Sequence, residues 1–428
     1  MKLHHTKNGE SYVIEERVLS TGDKVAVIAK RVRRERTGVH AFIGVSFNGI
    51  DAAHDDYNVD KDKDRTHLAN SAHKQFSNDA RAVFAATDLK YMLDVFSLSL
   101  WETWIGQRSI KLLAGNRNAK PAEFMLRPYI VVDGSSIIFA PPGMGKSYTV
   151  LLMAVSLDAA DEIDPRYRLF DVTGQRRVLF VNLERSERSL EARLARVNMA
   201  LGLPPERPIH FFQGRGLGLR DCQEVLYRDV RQHGIDVLFL DSLSRTGLGD
   251  LKEDQTGNKA VDSLNEICST WVAIGHTPRD NANHLYGSVM FDAGEDLGIL
   301  LKGQQREEGG RYVTGVSLKL EKTNDTGHYP PQFLRLEFEE DGLSGAFRSH
   351  SEEFPELTDT TKLSPAERLK LYIQENGPST GADAAAALKM DHALVSRVFK
   401  TKQFVVARHE GTKKFYGLAF PDGNVMEI

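Results

Sequence analysis

A glycine-rich turn between two apolar runs constrains this chain more than any other feature. Residues 137–157 read IIFAPPGMGKSYTVLLMAVSL. The run before the turn is typical of a buried strand, and the run after it is typical of a helix. Gly143 and Gly145 allow backbone N–H groups to curve around an anion, and a helix beginning near Lys146 adds the positive end of its dipole. The stretch therefore predicts a phosphate-binding turn at a sheet edge.

The side chains of this turn indicate a nucleotide. Ala140-Pro-Pro-Gly-Met-Gly-Lys146-Ser147 is a P-loop pattern, with Ala at the place of the usual first Gly. Lys146 is expected to reach the β- and γ-phosphates of ATP, and Ser147 to ligate Mg²⁺. The flanking strand and helix disfavour the alternative, a turn that carries lysine by chance. The predicted nucleotide-binding residues are Pro142, Gly143, Met144, Gly145, Lys146, Ser147 and Tyr148.

Composition narrows the class of protein. The chain has 428 residues, which predicts about two to four domains. With 41% hydrophobic residues and a net charge of −4, it is typical of a globular protein and not of a uniformly basic DNA-coating protein. Cys222 and Cys268 have no metal-ligand spacing and favour a reducing compartment. No signal peptide or membrane span is predicted, so we expect a cytoplasmic location and no membrane partner.

The chain is predicted to divide into an accessory domain (1–115), an α/β core (116–348), a polar linker (349–362) and a C-terminal domain (363–428). The accessory domain combines β-like runs with a helical segment at 86–104. Its acidic stretch 51–67 lacks the Gly and Glu of a calcium loop and is predicted to be a solvated loop. The basic run 30–36 is either a phosphate contact or a solvated surface.

The core alternates apolar strand-like runs with helix-like segments, which predicts an α/β fold with a mostly parallel sheet flanked by helices. Antiparallel strands are predicted at 312–322 and 330–340. In the C-terminal domain, three helical segments precede two strands that flank Gly411, the order of a winged helix. Residues 361–420 carry ten Lys and Arg against five Asp and Glu, which favours DNA over a protein-contact role.

Three further strand ends carry candidate catalytic residues. Glu184 follows a strand next to the P-loop and is expected to activate water, the alternative being a helix cap. Asp241 ends an apolar strand in a Walker B pattern and is predicted, with Ser147, to hold Mg²⁺. His276 ends another strand, where it either senses the γ-phosphate or is structural.

From residue 120 to 335 the chain resembles RecA-like ATPases, in particular the RepA-type hexameric helicases and their AAA_25 relatives. The motifs APPGMGKS, LFVNLERSERSLEARL, DVLFLDSLSR and AIGHT carry the resemblance. It implies that Glu184 activates water and that His276 couples nucleotide state to DNA. The family's Lys-x-Arg finger, which reaches the neighbouring subunit's nucleotide, matches Lys322 and Asn324, so the arginine is absent. Lys322 is expected to act in trans alone, or Arg245 or Arg279 to substitute.

The loops 245–260 and 278–287 are predicted either to contact single-stranded DNA or to be surface turns. The candidate DNA contacts are Arg245, Lys252, Lys259 and Arg279 in the core, with Arg397, Lys400, Lys402, Lys413 and Lys414 for duplex DNA in the winged helix.

The preferred hypothesis is a DNA-dependent ATPase acting as a helicase or translocase in replication or recombination of a mobile element. The resemblance implies a homo-oligomer, with a hexamer as one form. The accessory domain would bind DNA or a protein partner. The alternatives are an ATP-switched DNA-binding assembly protein with slow hydrolysis, and an ATPase-linked transcriptional regulator.

Overall fold

The computed structural model describes residues 3–5, 11–14, 17–35, 38–106, 112, 114–116, 122–278, 284–324, 326–327, 329–357 and 363–419. Two compact units contain them, Met1–Arg117 and Asn118–Ile428. Among the described residues, no helix has both the length and the apolar character that crossing a membrane requires.

The first unit packs helices on an antiparallel sheet. Its strands are β1 (Leu3–His5), β2 (Ser11–Ile14), β3 (Arg17–Val18), β4 (Lys24–Glu35), β5 (Gly38–Phe47) and β6 (Ile50–Asn58), and its helices are α1 (Asp62–His73), α2 (Asn78–Val83) and α3 (Ala86–Gly106). The strand order is β1-β2-β4-β5-β6, with β3 on β4. Along β5, alternate residues from Val39 to Val45 are buried, so one face of the sheet forms the core.

The prediction of a solvated loop at 51–67 was wrong. This stretch forms most of β6 and the start of α1. β6 completes the hydrogen bonding of β5, with Ala53 opposite Val45. Asp62 lies in the first turn of α1, where a carboxylate stabilises the helix dipole, and it forms an ion pair with Lys90 of α3. This acidic stretch therefore forms regular structure, which Asp62 helps to stabilise.

The second unit is built on a nine-stranded sheet. Its strands are β9 (Ser135–Ala140), β11 (Val178–Asn182), β12 (His210–Gln213), β13 (Val237–Asp241), β14 (Trp271–His276), β15 (Leu297–Glu308), β16 (Arg311–Thr323), β17 (Gln332–Glu339) and β18 (Gly342–Ser349). They lie in the order β12-β11-β13-β14-β9-β15-β16-β17-β18. Every pairing from β12 to β15 is parallel, and those from β15 to β18 are antiparallel. β7 (Phe124–Arg127), β8 (Ile130–Val131) and β10 (Asp171–Val172) form a small separate sheet.

Helices cover both faces of the large sheet, as the alternation of strands and helices predicts. They are α4 (Lys146–Asp158), α5 (Glu187–Ala200), α6 (Leu219–His233), α7 (Asp254–Ile267) and α8 (Val289–Gly294). Successive residues of β11 enter different cores: Phe180 packs with α4 and α5, and Val181 packs with α6 and α7. Strands buried on both faces read as continuous apolar runs, which explains why the sequence pattern located them.

The chain ends in three helices and a hairpin, α9 (Pro365–Asn376), α10 (Gly381–Leu388), α11 (His392–Phe399), β19 (Phe404–Glu410) and β20 (Lys413–Leu418). The described residues follow the element order predicted for a winged helix. Ser364 and Glu367 form a reciprocal capping box at the start of α9. That this domain is a winged helix remains a prediction.

The predicted linker 349–362 contains core residues. Phe354 and Leu357, at 0% and 7% exposure, pack with Phe333 of β17 and Leu371 of α9. Residues 351–357 are therefore ordered against the sheet, and residues 358–362 lie outside the described part of the chain.

Candidate active site

Four strand ends bring the predicted catalytic residues to one edge of the sheet. In the pairing of β9 with β14, Ala140 lies opposite His276. In the pairing of β11 with β13, Asn182 lies opposite Asp241. Because these strands are parallel, their carboxyl ends meet at the same edge, where α/β sheets bind ligands.

The turn between β9 and α4 has the backbone that a phosphate cradle requires. Gly143 and Gly145 adopt φ values of 83° and 79°, which L side chains rarely adopt. β15 supports the turn: Gln305 Nε2 donates to Gly143 O at 2.9 Å. A Cβ on Gly303 would lie within 3.1 Å of Met144, so only glycine permits this approach. The predicted nucleotide-binding residues 142–148 are contiguous along the turn and the first residues of α4.

Lys146 folds back over its own turn. It is 7% exposed, and its Nζ donates to Ala140 O at 2.6 Å. The same Nζ lies 3.2 Å from Nδ1 of His276. Burial lowers the pKa of Lys146 to about 8, although the carboxylates of Asp241 and Glu184 favour the charged form. Incoming phosphate oxygens would replace the carbonyl as partners of this ammonium.

The two predicted magnesium ligands lie together. The Ser147 side chain lies close enough to the buried carboxylate of Asp241, which is 3% exposed, to lower the pKa of that carboxyl. Burial, and next the charge of Glu184, raise the pKa of Asp241 to about 6. Among the described residues, no group of three or more His, Cys, Asp or Glu could hold a metal by itself. The pair fits Mg²⁺, which commonly takes one or two carboxylates together with phosphate oxygens and waters.

Glu184 is restrained by hydroxyl groups. Its Oε1 accepts hydrogen bonds from Ser242 Oγ at 2.5 Å and from Ser244 Oγ at 2.9 Å. His276 Nε2 lies 4.0 Å from the same oxygen, which is too long for a hydrogen bond but close enough for an electrostatic contact. His276, then the two serines, hold the pKa of Glu184 at about 2 against the raising effect of burial. The carboxylate is thus ionised, and the oxygen facing the serines is already bonded.

Two amides fix the turn that carries Glu184. Asn182, at 0% exposure, accepts hydrogen bonds at Oδ1 from the backbone N–H of Glu184 at 3.2 Å and of Arg185 at 2.9 Å. Gln213 at the end of β12 binds both the Asn182 amide and the Arg185 carbonyl. The sequence pattern did not point to Asn182, Gln213, Ser242 or Ser244. The only local signal was that Ser242 directly follows Asp241 and that Asn182 lies two residues before Glu184.

The structure does not bring Lys322 to this edge. Lys322 of β16 lies opposite Gly298 of β15, and Gly298 lies opposite Ile137 of β9. Ile137 is near the amino end of β9, roughly 10 Å along the strand from the glycine turn. Its ammonium donates to the backbone carbonyls of Asp292 and Glu295. Within its own chain, Lys322 therefore stabilises the end of α8, and Asn324 lies beside the same carbonyl of Glu295.

The predicted DNA-contact residues lie in different elements of the structure. Arg245 and Lys252 are exposed in the turn after β13, as predicted. The prediction of a loop was wrong for Lys259, which lies exposed on α7 because the helix begins at Asp254. Arg279 lies outside the described residues. The C-terminal candidates Arg397, Lys400, Lys402, Lys413 and Lys414 are all exposed, on α11, the turn after it and β20.

Contacts join the active site to the two predicted loops. The backbone N–H of Tyr286 donates to His276 O at 2.7 Å. Lys252 Nζ lies 5.6 Å from the centre of the Tyr286 ring, a cation–π contact. The backbone N–H of Ser288 donates to Leu251 O at 2.7 Å. The turn after β13 therefore touches the end of the segment after β14.

Comparison with known proteins matches part of the core to a protein family. An AAA domain family model, AAA_25, matches residues 106–282, which is less than half of the chain but includes Lys146, Glu184, Asp241 and His276. Among solved structures, a KaiC-like protein of the hyperthermophilic archaeon Pyrococcus horikoshii OT3 matches with 17% identity and a TM-score of 0.34, over 54% of this chain and 100% of that chain. No curated protein matches. The matched AAA domain, the P-loop turn and the largely parallel sheet are consistent with a RecA-like P-loop ATPase core.

Proposed function

We propose that this chain is a DNA-dependent ATPase that assembles as a homo-oligomer and translocates on or remodels DNA. One observation carries the proposal. His276 contacts both Lys146 and Glu184 through its ring, and its carbonyl accepts a hydrogen bond from Tyr286, which faces Lys252. A change at the nucleotide is thereby passed to exposed basic residues at the same edge.

The chain's own residues supply the parts that hydrolysis needs. Backbone N–H groups of the glycine turn and Lys146 would bind the phosphates of ATP, and Ser147 with Asp241 would hold Mg²⁺. When bound, Mg²⁺ neutralises charge on the phosphate oxygens. Glu184 would orient the attacking water and accept its proton, once its Oε1 is released from the serine hydroxyls.

Exposed cations outside the nucleotide site support DNA as the partner. Arg245 and Lys252 would contact the phosphates of a single strand, with Lys259 on α7 and Arg279 as further candidates. The basic residues of α11 and the hairpin would contact duplex DNA. The first unit would bind DNA or a protein partner.

A second candidate is an ATP-switched DNA-binding assembly protein with slow hydrolysis. Two observations favour it. Lys322 is engaged by carbonyls of its own chain, with no arginine at 324 to act on a neighbouring subunit. In addition, two hydroxyls occupy the oxygen of the expected base. Both features would reduce the rate of hydrolysis while leaving ATP binding possible.

The rate of ATP hydrolysis, measured with no DNA, with single-stranded DNA and with duplex DNA, separates the two candidates. Lys146→Ala and Glu184→Gln serve as inactive controls, and Arg231→Ala, on the far end of α6, removes an exposed charge elsewhere. Strong stimulation by single strands that both inactive variants lose supports the translocase. A slow rate that DNA does not change contradicts it and leaves the switch.

A further inference from the structure

A cavity of about 490 Å³ lies beside Glu184, between the turn after β12 and the turn after β13. Its charged lining side chains are Glu184, Arg215 and Arg245, and Ser244 and Gly216 also line it. The first turn reads GRGLG, residues 214–218, and it contains none of the candidate catalytic or DNA-contact residues. The charged groups of the lining thus carry two positive charges and one negative charge.

The two turns that form the cavity are in direct contact. A Cβ on Gly247 would lie 2.9 Å from the Cα of Gly218, and a Cβ on Gly218 would lie 2.9 Å from Thr246 O. Only glycine fits at this crossing. Gly247 also adopts φ 68°, which glycine accepts without strain. A displacement of either turn is therefore passed to the other.

Ser244 connects the cavity to the catalytic carboxylate. It lies in the single 3₁₀ turn Leu243–Arg245, next to Arg245. Its hydroxyl donates to Glu184 Oε1 at 2.9 Å and lies 2.7 Å from the Ser242 hydroxyl, which also binds that oxygen. Arg245 already lines the cavity, and it shares one turn with Ser244, so a ligand that pulls on Arg245 can also shift Ser244.

We propose that this cavity binds a phosphodiester group of single-stranded DNA between Arg215 and Arg245, and that this binding withdraws Ser244 from Glu184. The inference rests on the proposed function and names a regulation of the same site. Guanidinium groups suit the ligand because they present paired donors to phosphate oxygens.

The consequence is a base that is restrained without DNA and available with it. While both hydroxyls bind Oε1, a water molecule must compete with them for that oxygen. When Ser244 withdraws, one acceptor position on Oε1 is freed for the water proton. DNA stimulation of hydrolysis then arises from the chain's own hydrogen bonds.

The test measures ATP hydrolysis of the full chain with and without a single-stranded oligonucleotide, and with inorganic phosphate in its place. Ser244→Ala is expected to raise the rate without DNA about tenfold and to reduce the stimulation ratio. Arg215→Ala is expected to raise the DNA concentration for half-maximal stimulation about tenfold. Arg231→Ala, an exposed arginine on α6 far from the cavity, is expected to behave as the wild type.

Each outcome has one meaning. A Ser244→Ala variant whose rate without DNA is unchanged or lower overturns the inference, as does full stimulation at wild-type DNA concentrations in Arg215→Ala. Equal stimulation by inorganic phosphate assigns the cavity to free phosphate and overturns DNA as its ligand. If the wild type hydrolyses ATP but no oligonucleotide changes its rate, the proposed function itself fails.

Discussion

Lys146 Nζ lies 3.2 Å from His276 Nδ1, although 130 positions separate the two residues in the chain. The parallel pairing of β9 with β14 creates this contact by placing Ala140 opposite His276. Since the other ring nitrogen of His276 faces Glu184, the imidazole lies between the lysine that would hold phosphate and the carboxylate that would activate water.

His276→Ala is expected to lower DNA stimulation of ATP hydrolysis about tenfold while ATP binding persists. The reason is that the imidazole joins the phosphate site to the segment that begins at Thr277. Fluorescent-nucleotide binding and steady-state hydrolysis, each with and without single-stranded DNA, measure the two effects. His210→Ala, on the edge strand β12, is the control. Unchanged stimulation in His276→Ala would show that the histidine is structural.

Lys322→Ala is expected to lower the free energy of unfolding by about 1–3 kcal/mol, because the carbonyls of Asp292 and Glu295 lose their donor. Lys319→Ala on the same strand removes an exposed lysine that pairs with Glu321 and should cost less than about 1 kcal/mol. Urea denaturation gives both values. Normal stability combined with lost hydrolysis in Lys322→Ala would instead support a finger acting on a neighbouring subunit.

The buried carboxyl of Glu295 is expected to make the free energy of unfolding depend on pH. Glu295 is 2% exposed, its Oε2 has no partner among the described residues, and burial raises its pKa to about 9. Below pH 4.5 the carboxyl is protonated in both folded and unfolded chains. Above that pH the unfolded chain ionises and the folded chain does not, so stability falls until about pH 9.

Glu295→Gln is therefore expected to stabilise the protein by about 2 kcal/mol at pH 8 and to have little effect near pH 4.5. Urea denaturation at the two pH values checks this. Glu340→Gln, in the exposed turn between β17 and β18, should leave the free energy of unfolding unchanged at both pH values. An equal effect of Glu295→Gln at both pH values would mean that the carboxyl does not titrate as the structure indicates.

Phe354→Ala tests whether the predicted linker belongs to the core. Deleting this fully buried ring is expected to cost about 3–5 kcal/mol. Glu352→Ala, two residues earlier and exposed, should stay within about 0.5 kcal/mol. Thermal denaturation compares them. A Phe354→Ala variant as stable as the wild type would restore the linker interpretation.

The sequence predicted which candidate residues meet at one edge of the sheet, because strands buried on both faces are continuous apolar runs and the candidate residues lie where such runs stop. Asp241 and His276 each end such a strand, and Glu184 comes two residues after one. Helix caps were also predictable, because they depend on neighbours in the chain. Ser364 caps α9 and Asp391 caps α11, each by accepting a hydrogen bond from the backbone N–H three residues later.

What the sequence could not predict depends on distant contacts. Ser244 and Glu184 are 60 positions apart, and only the pairing of β11 with β13 brings them together. Lys322 matched a family motif, yet its position in β16 directs it to the carbonyls at the end of α8. β18 was missed because Gly342, Gly345 and polar residues interrupt its apolar pattern, and its pairing with β17 decides its conformation.

Measuring ATP binding and single-turnover hydrolysis in Glu184→Gln and Lys146→Ala checks the proposal that this edge of the sheet hydrolyses ATP with Glu184 as the base. Glu184→Gln is predicted to bind ATP like the wild type and to hydrolyse it about 10²–10⁴ times more slowly, while Lys146→Ala loses binding. Hydrolysis in Glu184→Gln at the wild-type rate would contradict the proposal.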